Sequence, residues 1–337
     1  MRQVAKAAGV STATVSRAIN KPEVVSQELR ERIASVVERL GWVPDGAARA
    51  LATRRSGVFG AVFPTLTHGD FARAAHAIQD ELLKRGYTLL LACSEYDPKQ
   101  EFQQARKFVE RGVDALILVG QSHHADLAAF LDRQRVPTIN TFAYDPTAHG
   151  TCVGPDNRKA LYRLTKYLIE FGHTDFATIA QSTESNDRAL ARLEGTKDAL
   201  AERGYAIRPQ HMLFGRWSID EGRKLCRQLM TTSPRPTAIV CGNPYLTIGA
   251  VLEAQEMGLR VPDDVSIVGY DDIEIMAQIA PPITTIRVQS DLVGRFAVAH
   301  LIARLEGRDA PVPFECDAEI VVRKSAGPAP RSAARRR

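Results

Sequence analysis

From Gly57 onward, short apolar runs alternate with amphipathic stretches of ten or more residues, and this alternation restricts the fold of the 337-residue chain more than any other feature. The runs are Val58 to Phe63, Tyr87 to Ala92, Ala115 to Val119 and Thr138 to Thr141, then Phe176 to Ala180, Thr237 to Cys241 and Val265 to Tyr270. Strands separated by helix-length segments must pair in parallel, with the helices covering both sheet faces. A faint internal repeat divides the series. Leu82-x-x-Arg-Gly-Tyr87 and Leu200-x-x-Arg-Gly-Tyr205 end a helix at the same place in each half. The reading is α/β, with two similar lobes. In such sheets ligands bind beyond the carboxyl ends of the strands, so the cleft between lobes is the expected site.

Ahead of this body, Val4 to Asn20 reads as two short helices around a tight turn. Val4, Ala7 and Ala8 form the inner side of the first helix, and Gly9 can adopt the left-handed conformation that ends it. Ser11 stands at the N-cap of the second, whose Val15, Ala18 and Ile19 share one side. Thr12, Ala13, Ser16 and Arg17 face outward. An alanine-rich helical hairpin shares this periodicity; a helix-turn-helix that places its second helix in the DNA major groove is the sharper reading. Lys21-Pro22 breaks the chain. Ser26 then caps a third helix with the stripe Leu29, Ile33, Val36, Val37 and Leu40, ended by Gly41.

Charge separates these parts. Residues 1–55 carry ten Lys/Arg against five Asp/Glu, residues 331–337 add four arginines, and 56–330 hold 30 basic against 34 acidic residues. A polyanion is the natural partner of the small basic domain, and the mildly acidic body has another task. No apolar run reaches membrane-spanning length and no apolar signal segment opens the chain, so a cytoplasmic protein is expected. The five cysteines, Cys93, Cys152, Cys226, Cys241 and Cys316, are scattered and read as free, mostly buried thiols. His123-His124-x-Asp126 does not make a metal site, because adjacent residues at a helix start point apart. A Gly-x-Ser-x-Gly elbow, a Walker loop, a Rossmann glycine fingerprint and a zinc-protease motif are all missing from the sequence; neither enzyme activity nor a cofactor is expected.

The order Ala-x-x-Ala-Gly-Val-Ser-x-x-Thr-Val-Ser-Arg-x-x-Asn, over residues 5 to 20, resembles the headpiece of the LacI/GalR family of transcriptional regulators. The body resembles that family's effector-binding core, akin to periplasmic sugar-binding proteins. Its landmarks are Val153-Gly-Pro-Asp-Asn157, Arg192-Leu-Glu-Gly195, Val261 to Asp272 and Pro281-Pro-Ile-Thr-Thr285. The resemblance covers residues 3 to 325. It implies a three-helix headpiece at 1–43, a hinge helix and linker at 44–56, and a two-lobed effector-binding and dimerisation domain at 57–325; the remainder, 326–337, is rich in Pro, Ala and Arg and reads from its composition as a disordered basic tail. It also implies three crossings between lobes, with the Thr284 region returning to the first.

By the same resemblance Thr12, Ala13 and Arg17 read base edges, and Thr14, Ser16 and Asn20 touch phosphates. An arginine can fork onto guanine and hydroxyls can bond phosphate oxygens, whereas Ala13 has only a methyl to present. Arg49 and Leu51 lie on the hinge helix, Leu51 at the position that wedges into the minor groove. The implied effector residues are Asp70, Phe71, Asp156, Arg192, Trp217, Asn243 and Asp271. Carboxylates and amides bond hydroxyls, rings cover an apolar face and a guanidinium takes two acceptors, so a sugar, sugar acid or related polyol is expected. Arg188, one turn from Arg192, leaves room for an anionic sugar. The implied protein is an effector-responsive repressor that binds a pseudo-palindromic DNA operator as a homodimer.

Three departures stand out. Only Met1, Arg2 and Gln3 precede Val4, which leaves the first helix without its N-cap; Asp45 replaces the family's asparagine; and Pro244 replaces an aspartate beside Asn243. A solute-binding protein is the rival reading for the body. A sugar-modifying enzyme is another, with Asp156 and Asp271 as its catalytic pair.

Overall fold

The computed structural model describes residues 1–43, 55–145, 152–309 and 314–330. The chain divides into two units, Met1–Ser56 and Gly57–Arg337. The expected hinge residues Asp45, Arg49 and Leu51 lie outside the described residues.

The first unit holds α1 (Arg2–Ala8), α2 (Thr12–Asn20) and α3 (Gln27–Arg39). Gly9 has φ +66° and ends α1, and Ser11 Oγ accepts the Thr14 amide at 3.1 Å to begin α2. Met1 stands at the N-cap of α1 without a side-chain cap bond. Val4, Ala5, Ala8, Val15, Ile33 and Val36 form the core, with Val10, Ile19, Leu29 and Trp42 packed on it. Two expectations are corrected here. Ala5, not Ala7, shares the inner face with Val4 and Ala8, because the helix turns 100° per residue and positions 4, 5 and 8 cluster. Ser26 makes no side-chain cap bond to α3, and Leu40, the residue after the helix proper, is 45% exposed.

The second unit is built on two six-stranded sheets. The first contains β1 (Val58–Phe63), β2 (Thr88–Cys93), β3 (Ala115–Val119), β4 (Thr138–Thr141) and β5 (Cys152–Gly154). The second contains β6 (Phe176–Ala180), β7 (Met212–Phe214), β8 (Ala238–Cys241), β9 (Ser266–Tyr270) and β10 (Thr284–Val288). The chain then adds β11 (Phe314–Glu315) to the first sheet and β12 (Ala318–Val321) to the second. The strand orders, β11-β5-β4-β3-β1-β2 and β12-β10-β9-β8-β6-β7, are alike, which is the structural content of the repeat in the sequence. Among the described residues all strand pairs are parallel except β10 with β12.

The flanking helices of the body are α4 (Gly69–Leu83), α5 (Pro98–Glu110), α6 (Leu127–Gln134), α7 (Asn157–Glu170), α8 (Asp187–Ala201), α9 (Ile219–Met230), α10 (Pro244–Glu256), α11 (Ile275–Gln278) and α12 (Ser290–Leu305). The chain crosses between lobes from β5 to α7, from β10 to α12, and from β11 to β12. The Thr284 region therefore does not return to the first lobe. Thr284 pairs with Val268 inside the second sheet, and the return comes at Ser290, where α12 packs against α4.

The expected disordered tail also needs correction at its start. Ile267 N donates to Ser325 O at 2.9 Å, Gly327 N donates to Ser266 Oγ at 3.1 Å, and Ala329 N donates to Phe171 O at 2.9 Å. The buried His173 donates from Nε2 to Gly327 O at 3.0 Å. Backbone groups paired in this way belong to the second lobe at least as far as Ala329; residues 331–337 lie outside the description.

Candidate nucleic-acid interface and ligand cleft

The outer face of α2 is set by what the core removes from it. Val15 is wholly buried, so Thr12, Ala13 and Arg17 fall on the exposed side, and Thr14 and Ser16 are half-buried. Ser11 Oγ and Thr14 Oγ1 lie 2.9 Å apart at the start of the helix. Hydroxyls, a methyl and a guanidinium on one solvent face suit phosphates and base edges. The Asn20 side chain lies outside the description.

In the body, a cavity lies between the carboxyl ends of the two sheets. Asp70, Phe71, Arg192, Trp217 and Asp271, five of the seven expected ligand residues, line it. Phe71 comes from the first turn of α4 and meets Phe142 edge-on at 5.0 Å. Asp70 accepts from Ser290 Oγ at 2.8 Å and from the Arg73 guanidinium. Asp271 follows β9 with φ +67°, a left-handed conformation that a non-glycine residue holds only under constraint. Desolvation in the cleft, and then the neighbouring Asp70 charge, push its carboxyl well above the usual carboxylate range.

Arg192 is held from two sides: Nη1 donates to Asn157 Oδ1 at 2.9 Å and Nη2 to Gln181 Oε1 at 2.6 Å. Its guanidinium lies 4.5 Å over the Tyr270 ring, and its Nε has no partner among the described residues. The Tyr270 hydroxyl donates to the same Asn157 oxygen at 3.0 Å.

The remaining two expected residues are elsewhere. Asp156 Oδ1 accepts the Lys159 amide at 2.9 Å and caps α7; Asn243 Oδ1 accepts the Leu246 amide at 2.9 Å and caps α10, with Pro244 in the first turn. A capping side chain folds back on its own helix, away from the cavity. It is Asn157, one residue on, that reaches in. The enzymatic pair of Asp156 with Asp271 is therefore not assembled. His123 shares neither a ligand set nor a direction with His124. Its Nδ1 lies 2.8 Å from Glu101 Oε2, and the His124 ring stacks on Phe102.

Sequence reasoning missed His68, Tyr96, Phe142, Asn157, Gln181, Asn186 and Tyr270. Asn157 and Tyr270 stood inside quoted landmarks and were legible as neighbours of Asp156 and Asp271. His68 carried no signal. It stacks on Trp217 with ring centroids 3.5 Å apart and planes 13° from parallel, joining the loop after β1 to the loop after β7. Beside it the Tyr245 hydroxyl donates to Thr67 O at 3.3 Å, a second tie between the lobes. Burial of His68 lowers its imidazole pKa to about 4, so the stacked ring is neutral at neutral pH.

A helix-turn-helix unit joined in one chain to a two-lobed periplasmic-binding-protein-like body defines a ligand-responsive DNA-binding regulator. Residues 1–45 match the family described as bacterial regulatory proteins, lacI family, and residues 165–326 match the periplasmic binding protein-like domain. The HTH-type transcriptional repressor PurR of Haemophilus influenzae (strain PittEE) is 31% identical over 96% of this chain and 98% of its own. The lac repressor dimer bound to operator and the anti-inducer ONPF superposes with a TM-score of 0.85, at 26% identity over 96% of this chain and 98% of that one. A transcriptional regulator CelR–cellobiose complex gives 0.72 at 27% identity, covering 96% and 98%. The chain belongs to the LacI family: it is a DNA-binding transcriptional repressor and not an enzyme.

Proposed function

We propose that this repressor controls an operon for the use of a carbohydrate or sugar acid, and that it binds a pseudo-palindromic operator as a homodimer in the cytoplasm. Thr12, Ala13 and Arg17 meet base edges, Thr14, Ser16 and Asn20 meet phosphates, and Leu51 with Arg49 engages the minor groove from the hinge at 44–56. Support for a paired body at 57–325 comes from Leu91 on the edge strand β2 and Leu83 at the end of α4, 40% and 71% exposed. An exposed apolar sheet edge of this kind is a site at which another chain can pair.

The observation that carries the ligand reading is the donor set of the cavity. Asp70, Asp271 and Arg192 offer carboxylate and guanidinium groups, with Arg192 held by Asn157, and Phe71 and Trp217 offer ring faces. That mixture suits a molecule with hydroxyls on its rim and an apolar face. The cellobiose bound by the similar CelR supports the same class. The ligand closes the lobes, changes the spacing of the paired hinges and so lowers operator affinity. The effect equals the ligand's differential affinity for the two forms.

Arg17→Ala is expected to lose operator discrimination, and Arg192→Ala to keep DNA binding while losing the response to the inducer. Both are read by fluorescence anisotropy on operator DNA, and a normal inducer response in Arg192→Ala overturns the assignment. The near-parallel stack of His68 on Trp217 supports a second reading, a flat heteroaromatic ligand that takes the place of His68.

A further inference from the structure

We propose that the effector carries a carboxylate and that Arg188 is its receptor, which makes the natural ligand a polyhydroxylated acid of the aldonic or uronic type. This rests on the reading of the cleft as a polyol site and narrows it.

Arg188 is 7% exposed, yet its guanidinium makes one long hydrogen bond among the described residues, 3.4 Å from Nη1 to Asp187 Oδ1. That oxygen is already shared with the Ser122 amide, also at 3.4 Å. A guanidinium has five N–H donors, and one on the cavity wall that uses a single long bond to Asp187 has donors left for a ligand. Arg192 lies four residues along α8, on the same face, and its Nε has no partner among the described residues. Two like charges side by side, next to the positive end of a 15-residue helix, form an anion site.

Asp187 reaches Arg188 only through that one long contact, and the carboxylates that line the cavity are otherwise occupied. Asp70 is engaged by Arg73 and Ser290, and Asp271 is driven toward its neutral form by desolvation and by Asp70. Arg188 is also placed to report on closure. It is rooted in the second lobe, but a methyl added to Gly120, at the end of β3 in the first lobe, would overlap its guanidinium and the Asp187 carboxylate. An acid bound to Arg188 is therefore held where the lobes meet.

The test uses the full chain and matched probes that differ only in the acid: gluconate against glucitol, glucuronate against glucose, and galacturonate against galactose. Glucose 6-phosphate and adenine complete the set, and affinity is read by titration calorimetry. The acid of at least one pair is expected to bind about 10- to 100-fold more tightly than its neutral mate, the range for one charge-assisted hydrogen-bonded pair. Arg188→Gln is expected to erase that gap, and Arg188→Lys to restore part of it, with circular dichroism melts verifying that both fold.

A neutral mate that binds as tightly as its acid, or an Arg188→Gln protein that still prefers the acid, overturns the Arg188 assignment and leaves the polyol reading standing. Preference for glucose 6-phosphate over every carboxylate overturns the carboxylate. Binding of adenine by a protein that ignores every pair overturns the polyol reading as well.

Discussion

Asn157 is the residue on which the cleft's organisation turns, and replacing it by alanine separates pocket architecture from helix capping. Its side chain makes four hydrogen bonds: Nδ2 donates to Phe142 O and Pro155 O at 3.0 and 3.2 Å, and Oδ1 accepts from Arg192 and Tyr270. Pro155 O lies two residues away in the same turn and is the weakest loss. Asn157→Ala leaves Arg192 Nη1, the Tyr270 hydroxyl and Phe142 O without partners. Each orphaned buried group costs about 1–3 kcal/mol, and water entering the space of the lost amide recovers part of it, so a net loss of about 3 kcal/mol is expected.

For a body of this size that lowers Tm by about 6 °C. With Arg192 free to swing, effector affinity falls by about 10-fold or more. The control is its neighbour. Asp156→Ala removes only the cap of α7, worth about 1 kcal/mol or about 2 °C, and leaves effector affinity as it was. Differential scanning calorimetry with titration of the identified effector reads both. If Asp156→Ala weakened the effector more than Asn157→Ala, the geometry of the cleft would be misread.

Two further predictions concern the gate and the headpiece. His68 holds its imidazole near pKa 4 against an ordinary 6.5, so the body binds fewer protons at that site than the unfolded chain does. Its contribution is whole above pH 6.5 and is lost as pH falls toward 4, an effect of up to about 3 kcal/mol; Tm measured from pH 7 to 4 should fall less steeply in His68→Phe, and an unchanged slope refutes it. Ser11→Ala removes the cap of α2 and is expected to destabilise the first unit by about 1 kcal/mol, read as a lower urea midpoint of helix loss in residues 1–43.

Ser11, Gly9 and Val15 were readable because a helix-turn-helix is a local object. The αL glycine, the capping hydroxyl and the buried valine all act within ten residues of chain, and their spacing is the structure. The strands β1, β3 and β6 were readable for a related reason: a strand covered on both faces is a short, nearly unbroken apolar run. The three-residue strands β5 and β7 were not, since neither is long enough to establish a period.

By itself, then, the sequence determined the helix-turn-helix, the two-lobed parallel architecture and the chemistry available to the cleft. Those follow from local backbone preference and from which side chains avoid water. Only the tertiary structure decided which of two adjacent residues, Asp156 or Asn157, turns into the cavity, and that Asn243 serves its helix instead. It also decided that Thr284 stays in the second sheet, that Gly327 is locked by His173 and Ser266, and that His68 meets Trp217 across the lobes. The reason is common to all of these. Each is a meeting of groups far apart in the chain or a choice made by the 100° turn of a helix, and neither is written in composition or period.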